Sequence, residues 1–165
     1  MSVDAGLMSK LEAAIVELLS AVQYNGADAF KTVDYWRHQV AAAAGGAEAF
    51  AGFAPFAFIG WARCTAKREG DYDLNQTPEI YIMLGQTSRA DGGARIGETE
   101  GDNVRPGISV LRDLVIAALD SKYPAGQGLA SDDIYYEGDE TMVDTPRAHA
   151  ITMRFSVNNI TLIEE

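Results

Sequence analysis

Apolar positions recur at two periods along this chain, and those periods divide it into elements. Leu11, Ile15, Leu18, Leu19 and Val22 fall on one side of a helix. Ser9 and Glu12 stand at capping-box spacing, so the helix is predicted to begin there, and Asn25-Gly26 is predicted to stop it. The aromatic and β-branched run 30–36 predicts a strand. The alanine-rich stretch 38–54, broken by Gly45-Gly46, predicts a short helix on either side of the break, ended by Pro55. Strands follow at 56–67 and 79–86, joined by a polar turn at 69–78. The segment 87–103 is glycine-rich, polar and nearly free of apolar residues, and reads as a long exposed loop. Pro106 suits a first helical turn, and Ile108, Leu111, Leu114, Val115, Ala118 and Leu119 then make a second helical stripe over 106–119.

The clearest alternation closes the chain. After a loop at 123–133 and a short strand at 134–137, a hairpin at 138–146 leads into a strand over 147–157. Side chains alternate across a strand, so His149, Ile151, Met153, Phe155 and Val157 share a buried face. Ala150, Thr152, Arg154, Ser156 and Asn158 share the other, predicted to be wet. In the earlier strand Phe56 and Phe58 lie on one face, Ile59 and Trp61 on the other. Apolar residues on both sides place it in a sheet centre or at a subunit contact. The element order predicts an α+β fold, with an antiparallel sheet of about four to five strands and two main helices packed on one face. Residues 1–165 are expected to form one domain, with a long polar loop at 87–103.

Charge narrows the partners. A formal net charge of −11 argues against a surface built to grip phosphates, and against an anionic membrane. It does not exclude a protein that lets nucleic acid pass without sticking. The first residues carry Asp4 and no basic group, so no secretory leader is expected. The single cysteine, Cys64, makes neither an internal disulfide nor a cysteine cage for zinc.

Candidate chemistry is sparse. Asp71-Tyr72-Asp73-Leu74-Asn75 opens like a calcium loop, but Gln76 holds its glycine position and Ile82 its last ligand position, so it reads as a solvated turn. His38 and His149 read as packed residues, and their spacing from Cys64 marks no nucleophile and base. No dinucleotide fingerprint, phosphate loop or nucleophile elbow occurs. No catalytic, cofactor or metal residue is expected, and the chain reads as a non-enzyme. The acidic segment 120–144 has two readings: a solvated edge that blunts strand pairing, or a charged rim facing a partner or a lumen. Tyr135 and Tyr136 lie within it, and one of them must face outward from a strand.

The order of elements, from the capped helix Leu11 to Val22 through Pro55-Phe56-Ala57-Phe58-Ile59, Ile80-Tyr81-Ile82-Met83 and the helix at Gly107-Ile108-Ser109-Val110-Leu111 to the final Phe155-Ser156-Val157, resembles a family of tailed-phage and Mu-like prophage morphogenesis proteins. More broadly it is similar to phage tail-terminator and neck proteins. The resemblance implies a virion protein, assembled in the host cytoplasm, that forms a homo-oligomeric ring, commonly a hexamer. Such a ring caps the tail tube and joins it to the head connector. It implies as partners the tail tube, sheath and connector or neck proteins, with DNA passing through the lumen, and neither membrane nor cofactor. The interaction residues expected are Phe56, Phe58, Trp61, Glu98, Glu100, Asp102, Tyr135, Tyr136 and Arg154. The alternatives left open are a neck or head-completion protein, a small cytosolic hydrolase or metal-dependent enzyme, and a cytosolic adaptor.

Overall fold

A computed structural model describes residues 6–36, 52–70, 73–124, 129–158 and 160–162. Helix α1 spans Leu7–Ser20, and the hairpin β1 (Gln23–Tyr24) and β2 (Ala27–Asp28) follows it. Then come β3 (Thr32–Tyr35), β4 (Phe56–Glu69), β5 (Asp73–Thr87), a single turn α2 (Gly93–Ile96), and the small hairpin β6 (Glu98–Glu100) and β7 (Asn103–Arg105). The chain continues as α3 (Ile108–Leu119), β8 (Leu129–Ala130), β9 (Ile134–Thr145), β10 (Ala148–Val157) and β11 (Thr161–Leu162). The fold is α+β: a five-stranded sheet in the order β3-β4-β5-β10-β9, with both longer helices on one face.

The main core lies between that face and the helices. Leu11, Ile15 and Leu19 of α1 and Leu111, Val115 and Leu119 of α3 bury against Ile59, Ile80, Ile82, Met153, Phe155 and Val157. Each stripe is the one its periodicity predicts, and the odd-numbered face of β10 is buried throughout. The even-numbered face is only partly wet. Ala148 and Ala150 are fully buried in a second, smaller cluster with Phe56, Phe58 and Met83.

Several boundaries differ from the sequence reading. Helix α1 begins two residues before Ser9, because Leu7 and Met8 pack against the core, so Ser9 and Glu12 form no cap. Asn25 (φ 50°) and Gly26 (φ 81°) make the tight turn between β1 and β2, the left-handed geometry that Asn-Gly favours in hairpins. Strand β3 pairs with β4 in parallel, so the sheet is mixed; residues 36–55 supply the length a parallel connection needs. The helices expected in the alanine-rich stretch fall largely on residues 37–51, outside those described. Helix α3 starts at Ile108, past Pro106, whose carbonyl instead accepts from Gln86 Nε2 at 2.8 Å.

Two expected turns are strands. The polar stretch 73–78 continues β5, paired with β4 out to Glu69 opposite Asp73. Pro78 is tolerated there because the β10 ladder on β5 ends at Glu79, and the chain bridges β5 again only at Gln76, whose carbonyl accepts from the Ile160 amide at 3.1 Å. Likewise 138–145 continues β9, with bulges that leave Glu137 and Met142 without a partner on β10. The supposed exposed loop at 87–103 is folded onto the domain, with Ser88, Gly93 and Ala94 buried. Polar contacts to backbone order it, and these leave no apolar periodicity to read. The Glu98 carboxylate accepts from the amides of Arg89 (3.1 Å) and Ala90 (3.2 Å), and Arg105 Nη2 donates to Gln86 at 3.1 Å.

Gly85 fixes how closely β4 and β5 carry their aromatic face. A Cβ added there would sit 2.2 Å from the Phe56 ring, which stacks on Phe58 with centroids 4.5 Å apart. Gly85→Ala is therefore expected to destabilise the fold by about 1–3 kcal/mol, measured by urea unfolding, and Phe56→Leu in the same chain should recover part of that loss. An unchanged midpoint in Gly85→Ala would contradict the packing.

Candidate functional site

The sheet face away from the helices has two unlike halves. One is aromatic. Phe53 meets Phe58 edge-on at 5.8 Å, and Trp36 lies tilted at 6.1 Å from the same ring. Phe56 and Phe58 are fully buried there. The sequence reading offered both as contact residues; the structure corrects this, since Phe53, Trp36 and Met83 cover them. Beside them a shallow cavity of about 270 Å³, lined by Trp36, Tyr81, Met83, Glu140, Met142 and Thr152, leaves Met142 43% exposed. The Tyr81 hydroxyl is held above its usual pKa by burial, then by the charge of Glu12, whose own carboxyl is pushed up by burial.

The other half is polar. A groove of about 450 Å³ is lined by Arg63, Thr65, Thr77, Glu79, Glu137, Arg154, Ser156 and Asn158. Arg63 pairs with Glu79 at 2.9 Å, and Ser156 Oγ donates to Glu137 at 2.6 Å. Arg154 is exposed, as its place on the wet parity of β10 predicted, and makes no ion pair among the described residues. The groove offers hydrogen bonds and charge. The Ser156 hydroxyl already donates to Glu137, and no histidine is among the described residues that line the groove.

From this groove the β4–β5 hairpin runs on past Glu79, where β10 stops pairing with β5; on β5 Pro78 is still buried and the Gln76 carbonyl accepts from the Ile160 amide at 3.1 Å. Residues 61–68 are exposed apart from Cys64, which is half-buried. Trp61 is 50% and Leu74 39% exposed. The sequence singled out Trp61 but not Leu74, because Leu74 sat in what read as a turn. Cys64 lies opposite Pro78 on β5, while His149 lies opposite Gln86, about 25 Å further along the same strand. The two do not meet. His149 is buried, with Nδ1 3.3 Å from Asp144 Oδ1, a packed residue as expected.

The remaining predicted residues separate by role. Tyr135 is 43% exposed, while Tyr136 turns inward onto Phe155 at 5.5 Å. Tyr136 belongs to a clamp that sequence reasoning missed. Arg112 on α3 donates through Nε to Asp139 at 2.6 Å and through Nη2 to the Tyr136 hydroxyl at 3.0 Å, and that hydroxyl donates to Asp139. No local spacing marks this trio, since helix and strand are joined only in three dimensions. Glu98 is an anchor for its loop, also 3.6 Å from Arg105, and so is no free rim charge. Asp102 is exposed at the tip between β6 and β7, and Glu100 pairs there through its backbone with Asn103. Asp73 and Asn75, taken from the calcium-like stretch, lie in β5 opposite Glu69 and Lys67; Asp71 and Tyr72 lie outside the described residues. Among the described residues no three His, Cys, Asp or Glu side chains gather as metal ligands would, and no helix is long and apolar enough to cross a membrane.

The clamp makes stability depend on acid. Burial alone would raise the Asp139 carboxyl, but hydrogen bonds from Tyr136 and Arg112 outweigh it and hold the group below its ordinary range. A depressed carboxyl contributes stability that is present above its unfolded-state value, about 4, and is lost as pH falls through the lower folded value. Asp139→Asn should cost about 1–3 kcal/mol at neutral pH and flatten the loss of stability below pH of about 4. Urea midpoints of both chains across that range check this; parallel pH profiles would refute it. No protein-family model and no curated protein sequence matches this chain.

Proposed function

We propose that the chain is a structural subunit of a tailed-phage particle, a tail terminator that assembles into a ring, caps the tail tube and meets the head connector. The observation that carries this reading is the β4–β5 arm, whose β4 strand is exposed over residues 61–68 apart from half-buried Cys64, and which exposes Trp61 and Leu74. A rigid two-stranded projection with apolar side chains has little to stabilise it in a lone subunit, and a neighbour supplies what is missing. Rings form when such a contact is heterologous and its rotation closes. The formal charge of −11 supports a lumen that repels DNA enough to let it slide.

The tube, the sheath and the connector are the partners this role requires, and the virion is its location. Mass photometry and negative-stain microscopy of the purified chain should find closed rings, and added tail tubes should carry one at an end. A chain that stays monomeric at micromolar concentration and never joins tubes would overturn the proposal. Binding to connectors but not to tubes would move the role to head completion. Trp61→Glu with Leu74→Glu should abolish rings while shifting the melting temperature by no more than about 3 °C, because both sites are exposed.

A further inference from the structure

Every open sheet has two outer edges, and here they are unlike. On one side β3 covers only Phe56 to Ile59 of β4, and the last bond of that pairing runs from the Trp36 amide to the Ile59 carbonyl at 2.8 Å. Beyond it, among the described residues, no strand lies against the outer side of residues 60–69. On the other side the start of β9 is closed by the exit of α3. The Ile134 amide donates to Lys122, the Ser121 amide donates to Ile134, and the Tyr136 amide donates to the Asp120 carboxylate. From Glu137 to Thr145 the outer side of β9 meets no strand among the described residues. Each free stretch is about 25–30 Å long.

The two stretches carry opposite charge. Arg63, Lys67 and Arg68 lie on the free part of β4, with Glu69 at its end; Glu137, Asp139, Glu140 and Asp144 lie on that of β9, with no Lys or Arg. The signs match on both faces of the sheet. Arg63 and Lys67 share the helix-free face with Glu140, which sits opposite Thr152. Arg68 shares the helix face with Asp144, which sits opposite His149. Edge charges usually prevent pairing. Here they prevent two of three pairings: β9 against β9 sets acids together, and β4 against β4 sets bases together. Only β9 against β4 brings unlike charges face to face.

We propose that copies of this chain join edge to edge, the free stretch of β4 in one copy pairing with the acidic outer edge of β9 in the next. This rests on the ring reading above and names its contact. Strand direction allows it. β5 runs against β4, β10 against β5 and β9 against β10, so a sheet continued into the next copy sets β9 antiparallel to the new β4. The two stretches lie towards opposite ends of the strands, so joined copies are staggered, by about 23 Å along the strand for full overlap. Five strands make each copy about 24 Å wide. A stagger that nearly equals the width closes into a ring when strands tilt about 45° from its axis, close to the tilt of known barrels.

Charge reversal and cross-linking test this together. Lys67→Glu with Arg68→Glu, and separately Glu140→Lys with Asp144→Lys, should each raise the concentration for half-assembly roughly tenfold or more, with weaker effect at high salt. All four substitutions in one chain should restore assembly. These variants spare Asp139, Glu137 and Arg63, which have partners within the subunit; Asp144 does meet His149 at 3.3 Å, a contact the four-substitution chain also lacks, so assembly restored there excludes its loss as the cause. Independently, Cys64 is the only cysteine and lies on the same sheet face as Thr141, so Thr141→Cys should join Cys64 of the next copy through a short bis-maleimide, in the assembled state only. Rings that survive both charge reversals and give no such cross-link would overturn the edge contact and leave the ring standing. Cross-linking of Thr141→Cys to itself in a Cys64→Ser chain would also overturn it, in favour of paired β9 edges. A strictly monomeric wild-type chain would remove both readings.

Discussion

One antiparallel ladder, β4 against β5, organises the molecule. It runs unbroken but for one bulge from Phe56 opposite Gly85 to Glu69 opposite Asp73. Its inner half is buried on both faces, by the helices on one and by the phenylalanine cluster on the other. Along its outer half β4 is exposed on both faces apart from Cys64, while β5 is partly covered from Asn75 to Thr77 and buried at Pro78. The bulge, between Trp61 and Arg63, sits at that boundary, and pairing resumes beyond it, so the buried half still carries the exposed half. The arm is thus an extension of the core's own geometry. Strand β3 and strand β10 are added at the inner half, one on each side.

Around this ladder, apolar burial sets the layers and polar contacts set the connections. Gln86, nearly inaccessible to solvent, ties the end of β5 to Arg105 and Pro106 just before α3 begins. Glu98 receives the amides of Arg89 and Ala90 and so folds 87–103 back onto the domain. Arg112 spans from α3 to β9. These contacts satisfy groups that would otherwise be costly where the chain leaves water. They also explain why segments rich in glycine and charge are ordered.

The inner half of the molecule was legible in its sequence and the outer half was not, for one reason. Periodicity records burial on one face, so Ile151, Met153 and Phe155 on β10, and Leu11 with Ile15 on α1, announce their element. Asn75, Gln76 and Thr77 continue a strand as polar residues, half-buried on both faces, and nothing alternates there. The same holds for 138–145, where the bulges at Glu137 and Met142 also break any parity that remained. At Phe56 and Phe58 the reading stopped at a true ambiguity: an apolar run is the same string whether its own fold or a neighbour covers it. The fold supplies Phe53 and Trp36 as cover. Trp61 lies just beyond the helices, and so the same strand yields both sealed and open aromatics. The parallel pairing of β3 had no residue pattern to betray it, since direction depends on the path of the connection.

The contact between Gly85 and Phe56 reaches beyond this one chain. The two positions share a single fixed volume between neighbouring strands, with Phe58 stacked behind and no slack to absorb a change. Neither residue is then free to vary alone. In any descendant of this sequence, a side chain gained at 85 must be matched by one shortened at 56, and lineages should pass between the two solutions only through a weakened intermediate. A glycine with no chemistry of its own thereby sets which evolutionary paths are open to a fully buried ring on the neighbouring strand.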